Sequence, residues 1–155
     1  MGWSETDLST MRAAIDAARA GAEAGEVPVG AAILIGDSIV ATAHNRTIVD
    51  QDPTGHAEIV ALRKAADRIG NYRLTNATLY VTLEPCTMCM GAMNEARVSR
   101  LVFGAYDAKA GAAGSMLDLS DSLPNRFEVN GGVLEDECAA LLKEFFEARR
   151  SGRGD

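Results

Sequence analysis

Cysteine is scarce in this chain, basic residues are outnumbered, and no run of 18 or more uncharged apolar residues occurs. Each shortage excludes something. Three cysteines, two of them three positions apart (Cys86 and Cys89) and one alone (Cys138), do not make a paired disulfide framework, so metal binding is the better reading of the close pair. Without a long apolar run nothing is expected to cross a bilayer. The start Met1-Gly2-Trp3-Ser4-Glu5 also lacks the basic-then-apolar order of a signal peptide, so the expected location is the cytoplasm. Fifteen Lys and Arg against 22 Asp and Glu give a net charge of −7. That balance argues against broad, sequence-blind affinity for nucleic acid and leaves room for a local basic patch. Internal repeats and low-complexity tracts are absent.

What is present is an ordinary globular composition, 47% apolar and 24% charged, in a length of 155 residues that suits one core. A single domain spanning 1–155 is expected. Leu8, Met11, Ile15, Ala18 and Ala22 recur at steps of three or four, which predicts an amphipathic helix over 5–24 ending at Gly25. Two β-rich runs follow, 28–35 and 38–43, around Gly36-Asp37, and predict a hairpin. After a polar loop at 50–55, helical spacing returns from His56 to Gly70. Residues 77–83 predict a strand, 85–97 a helix, 100–106 a strand, 127–129 a short strand and 134–150 a closing helix. The glycine-rich stretch 104–115 predicts a backbone-shaped loop of the kind that borders sites. The order α-β-β-α-β-α-β-loop-β-α implies one mixed sheet with helices on both faces.

The chemistry concentrates in two short pieces, His56-Ala57-Glu58 and Pro85-Cys86-Thr87-Met88-Cys89, each at an expected helix start. Cys86 and Cys89, at i and i+3, share a helix face and can reach one ion. Pro85 suits a first helical turn, and the positive end of the helix dipole favours thiolates there. Three protein ligands, His56, Cys86 and Cys89, leave a fourth tetrahedral position for water, whose pKa zinc lowers from near 16 to roughly 7. Glu58 is the expected proton carrier. The bland alternatives are a structural zinc site, two buried thiols, or a helix start without chemistry. A closed structural site needs a fourth ligand, and the spare candidates are only His44 and Cys138; Cys138 falls on the apolar face of the last helix and reads as core. The order H-x-E, strand, P-C-x-x-C is the pattern of zinc deaminases that act on nucleobases.

Beyond that motif, the chain resembles the bacterial tRNA adenosine deaminases of the cytidine deaminase-like superfamily. The likeness runs from about Gly25 to Arg150. It includes Glu-Val-Pro-Val-Gly-Ala (26–31), Asn45-Arg46, Asp-Pro-Thr-Gly-His-Ala-Glu-Ile (52–59), Asn-Tyr-Arg-Leu (71–74) and Ala-Thr-Leu-Tyr-Val-Thr-Leu-Glu-Pro-Cys (77–86). Asp-Ala-Lys-Ala-Gly-Ala-Ala-Gly-Ser (107–115) and Phe145-Phe146 with Arg149-Arg150 complete it. The resemblance implies a three-layer α/β/α fold with a mixed sheet of about five strands, one zinc per subunit, and deamination of adenosine to inosine at the wobble position. It further implies that Asn45 bonds the base, that Val29 lines the pocket, and that the backbone around Ala57 and from Leu83 through Glu84 to Pro85 positions the ring. Partners implied are a tRNA anticodon loop and a second copy of the chain whose presence completes the site. Phe145 and Phe146 would touch RNA or fill helix core, and Arg149 and Arg150 would touch RNA or form a solvated helix end. Two departures stand out: Leu123-Pro124-Asn125-Arg126 replaces the usual Leu-Asn-His-Arg, which would remove a substrate-facing residue, and Gly55 stands where Ala is common. With the acidity, the first departure motivates an alternative, deamination of a free base or related amino-azine of guanine or cytosine type. A non-catalytic zinc subunit ranks last, because Glu58 is present.

Overall fold

The computed structural model describes residues 2–153; Met1, Gly154 and Asp155, and with them both ends of the expected 1–155 domain, lie outside the described residues. The elements in chain order are α1 (Glu5–Glu23), β1 (Gly30–Ile35), β2 (Ser38–His44), α2 (Ala57–Ile69) and β3 (Ala77–Leu83). They continue with α3 (Thr87–Ala96), β4 (Arg100–Ala105), β5 (Glu128–Gly131) and α4 (Glu135–Arg153). The five strands form one sheet in the order β2-β1-β3-β4-β5. β1 runs antiparallel to both neighbours, while β3, β4 and β5 are parallel. The mixed sheet follows from connection length. The Gly36-Asp37 turn joins β1 and β2 directly, whereas β3 and β4 are joined through α3, which returns the chain to the same end.

Side chains alternate across the sheet and build two cores. Ala31, Ile33, Leu79, Val81, Leu101 and Phe103 pack with Ala57, Ala61, Leu62 and Ala65 of α2 and with Cys89, Met90 and Met93 of α3. Ala32, Tyr80 and Val102 face the other way, against Met11, Ala14 and Ile15 of α1 and Cys138 of α4. The result is three layers, α1/α4, sheet, α2/α3, as expected. Cys138 is core, 1% exposed. Gly30 permits the close approach of α1 to β1, because a Cβ there would lie 1.9 Å from the Ala14 carbonyl oxygen.

Among the boundaries that differ from expectation, the starts of β5, α2 and α3 have local reasons. The last strand pairs Glu128–Gly131 with β4, so Phe127 leads into it as a buried anchor. His56 and Cys86 are N-cap residues in extended conformation, so α2 begins one residue and α3 two residues later than expected. Pro85 therefore precedes the cap instead of occupying the first turn of α3. On α1 the buried face includes Asp7 and Thr10, which apolar spacing does not mark. Asp7 accepts hydrogen bonds from Tyr80 Oη (2.7 Å) and from Arg100 Nη1 and Nη2 (2.8 and 3.1 Å). This fastens the helix to β3 and β4.

Candidate active site

The register rows Gly30↔His44, Ala31↔Val81 and Leu83↔Ala105 bring four chain ends to one edge of the sheet: the entry to β1 and the exits of β2, β3 and β4. Ligand sites of α/β folds form where such strand ends splay. Here the exits of β2 and β3 lead into the N-termini of α2 and α3, whose dipoles present positive ends to the same point. His56 and Cys86 occupy the two N-caps, and neither side chain makes the usual capping hydrogen bond. Instead they face each other. Cys86 Sγ and Cys89 Sγ each lie 3.5 Å from His56 Nδ1, and the three donor atoms fall within 4.8 Å of one another.

That triangle fits a tetrahedral metal. Zinc bonds of roughly 2.3 Å to sulfur and 2.0–2.1 Å to nitrogen at tetrahedral angles give an S···N edge of about 3.6 Å. Protonation chemistry supports the same donor set. Cys86 is pulled down to about 3, chiefly by the hydrogen bond from the Cys89 thiol, with His56 adding to it. Cys89 is pushed up by that shared proton and by burial, and contact with Cys86 raises His56. One thiolate forms readily and the second resists, so the cluster is short of positive charge that a divalent cation supplies. His56, Cys86 and Cys89 are thus positioned for metal binding.

Glu58, in the first turn of α2, is 4% exposed, and burial raises its carboxyl to about 7. A cavity of about 180 Å³ opens beside it. That is below the roughly 300–1,000 Å³ usual for drug-sized ligands, and suits a single planar base with its sugar left outside. Val29, Asn45, His56, Glu58, Leu83, Glu84 and Cys86 line it. Ala57, Pro85 and Cys89 stand behind this lining. The Ala57 N–H donates to Asn45 Oδ1 at 2.8 Å, so Ala57 acts on the cavity through Asn45, whose amide NH₂ remains to face a ligand. The Pro85 carbonyl accepts from the Ala112 N–H at 2.8 Å and ties the metal end to the loop after β4.

Three lining residues lie outside the expected set: Val27, Asp107 and Ala110. Asp107 Oδ1 accepts from the Lys109 and Ala110 N–H groups, an Asx turn that the Asp-Ala-Lys-Ala sequence could have announced. The altered 123–126 segment is placed elsewhere. Asn125 bonds Asn94 through its N–H (2.8 Å) and its Nδ2 (3.2 Å), at the far end of α3 from Cys86. Eight residues of helix separate Asn94 from Cys86, an axial rise of about 12 Å, and none of residues 123–126 lines the cavity. On α4, Phe145 is half-buried and Phe146 exposed. The Arg149 guanidinium stacks 4.5 Å from the Phe145 centroid and donates to the Gly25 carbonyl at 3.0 Å, so it is held in place and not simply solvated. These residues, with Val27, Ile48 and Arg150, line a second cavity of about 300 Å³. Val27 borders both.

Known proteins resemble the chain in sequence and in fold. The cytidine and deoxycytidylate deaminase zinc-binding region matches residues 4–105. The tRNA-specific adenosine deaminase of Haemophilus influenzae is 50% identical over 151 residues, 95% of this chain and 87% of that protein. The chain belongs to the zinc-binding cytidine and deoxycytidylate deaminase family, alongside the tRNA-specific adenosine deaminases. A solved structure from work on A-to-I editing by tRNA:A34 deaminases at the wobble position superposes with TM-score 0.84 and 40% identity, covering 86% of this chain and 99% of that one. A guanine deaminase of Nitrosomonas europaea superposes with TM-score 0.81 at 25% identity, covering 94% and 86%.

Proposed function

We propose that this chain is a zinc-dependent aminohydrolase that converts adenosine to inosine at the wobble position of a tRNA. The observation that carries the reading is a base-sized cavity with a three-donor metal cluster and a buried carboxyl side by side at its wall, in a chain half identical to a tRNA-specific adenosine deaminase. His56, Cys86 and Cys89 would hold zinc, which when bound would supply Lewis-acid activation of water. The chain's own residues do the rest. The Asn45 amide donates to the base and, through its Oδ1, fixes the turn that carries His56 and Glu58. Glu58, titrating near neutrality, takes a proton from the attacking water and delivers it to the ring nitrogen, then takes the remaining hydroxyl proton of the tetrahedral adduct and passes it to the exocyclic amine as the C–N bond breaks and the carbonyl forms. The overall balance is adenosine plus water giving inosine plus ammonia.

The second cavity supports a polynucleotide substrate. It shares Val27 with the reaction cavity and offers the exposed Phe146 with Arg149 and Arg150, an aromatic and cationic set suited to the nucleotide beside a flipped base. A second copy of the chain is the natural cover for the apolar groove between α2 and α3, formed by Ile59, Leu62, Ala66, Ala92, Ala96 and Tyr72. Among the described residues no helix is long and apolar enough to cross a membrane, and tRNA as substrate points to the cytoplasm.

Zinc-loaded protein incubated with a tRNA bearing adenosine at the wobble position, followed by sequencing, should show inosine at that position alone. Ammonia release from free guanine, cytosine and adenine runs in parallel. Release from a free base with no inosine in the tRNA would overturn the reading in favour of the free-base alternative, to which the Nitrosomonas europaea neighbour corresponds at lower identity.

A further inference from the structure

Glu84 is 3% exposed, sits two residues before Cys86, and takes no part in the chemistry above. Its carboxylate is fully engaged by the loop after β4. Oε1 accepts from the Asp107 N–H (3.0 Å) and from Ser115 Oγ. Oε2 accepts from the N–H groups of Ala113 and Ser115, both at 3.0 Å. A carboxylate has about four lone-pair sites, and here four donors fill them, so none is left for a substrate. All four donors come from one segment, 107–115, whose Asp107 and Ala110 form the wall of the cavity facing Asn45 and Val29. Gly111 makes the wrapping possible: a Cβ there would lie 2.4 Å from the Glu84 carboxyl carbon and 2.5 Å from the Asp107 carbonyl oxygen.

We infer that Glu84 is a positioning residue that sets substrate affinity, by holding the 107–115 loop as one wall of the base cavity. The inference rests on the proposed adenosine deamination for its kinetic arm only. A glycine-rich loop has high conformational entropy, and this one has only the small side chains of Ala112 and Ala113 to anchor it in the core. A buried charge with four donors supplements that anchor, since hydrogen bonds to an ionised acceptor are roughly twice as strong as neutral ones. Because the anchor leaves β3 directly before Pro85 and Cys86, the wall is referenced to the metal cluster itself.

The test is Glu84→Gln in the zinc-loaded full chain. The substitution keeps shape but turns one acceptor oxygen into an NH₂ that faces N–H groups. Hydrogen exchange of the Asp107, Ala113 and Ser115 amides should accelerate by about 10- to 100-fold, with the amides of β1 and β3 unchanged and zinc at one per chain. On tRNA, KM should rise by about tenfold or more while kcat stays within about threefold, because the reacting groups remain in place. Gly111→Ala, which pushes the loop off an intact Glu84, should shift exchange and KM in the same direction, and decides the matter if Glu84→Gln does not fold. Unchanged exchange and KM in either folded variant, or a fall in kcat at constant KM, would overturn the inference. Accelerated exchange in a protein whose unsubstituted form leaves tRNA untouched would fault the proposed substrate and leave the clamp standing.

Discussion

Asp7→Asn is a sharp test of how the sheet is held to α1, because it removes one charge and almost no volume. The Asp7 side chain is 8% exposed and its Arg100 partner 27%. Breaking a buried pair by removing one charge costs roughly 3–5 kcal/mol. Arg100 is partly solvated and keeps Asn130 (2.8 Å) and Glu128 (3.2 Å), and an asparagine oxygen still accepts from Tyr80, which lowers the expected cost. About 2 kcal/mol remains, or about 4–8 °C in Tm for a chain of this size.

The pH dependence carries a sign. Arg100's hydrogen bonds, the largest cause, hold the Asp7 carboxyl below its ordinary 3.8, with Tyr80 assisting and burial opposing. A depressed folded value means that the unfolded chain binds more protons as pH falls. The stabilisation is therefore fully present above about 4–5 and is lost as pH drops through the folded value. Urea melts of both proteins should show a constant gap from pH 7 to pH 5 that narrows on further acidification. Asp7 lies on the α1 face, away from the cavity, so kcat/KM of the folded variant should equal the parent's. A gap under about 0.5 kcal/mol at pH 7, or one that widens in acid, would refute the account.

Other expectations follow from the site. Glu58→Ala should lower single-turnover deamination by at least about a thousandfold while metal analysis still finds zinc, since the proposed mechanism gives the carboxyl the proton transfers and leaves the metal to His56, Cys86 and Cys89. Cys89→Ser should weaken zinc by at least about a hundredfold in a chelator competition, because two protein ligands remain. Asn45→Ala should cut kcat/KM by about 10- to 100-fold and speed exchange of the Ala57 amide, which loses its acceptor. If the α2/α3 groove joins two copies, Ala92→Arg should halve the mass seen in sedimentation.

Each half of the metal cluster was legible because its information is local, and the pairing of the two halves across 30 positions came from their known order as a motif. His56 and Glu58 are two residues apart, Cys86 and Cys89 three, and each pair opens a helix, so spacing alone aligns the side chains. The alternation of β1, β3 and β4 was legible for the same reason. What escaped was long-range. Asp7 meets Arg100 across 93 positions and Glu84 meets Ser115 across 31, so neither acid advertises its burial. Val27, Asp107 and Ala110 become lining only when three chain segments converge. The 123–126 departure was read from the family pattern alone, and in this chain its Asn125 bonds Asn94 near the end of α3.

The same buried acids change how the net charge bears on an RNA substrate. Asp7, Glu26, Glu58 and Glu84 are all nearly inaccessible. Glu26 is bound by the N–H groups of Ile48 and Val49 and by Thr47 Oγ1, as Glu84 is by its loop. With those four acids and the committed Arg100 set aside, 14 basic residues face 18 acidic ones, a balance of −4 in place of −7. Phosphate contacts are local, acting within a Debye length of about 8–10 Å, so the charge beside the cavity mouth matters more than the total. There Arg149 and Arg150 stand on α4 next to Val27, and Glu26 and Glu84 are turned inward onto backbone donors. The carboxylates that make the composition look hostile to RNA are in part the ones that shape the pocket for its base.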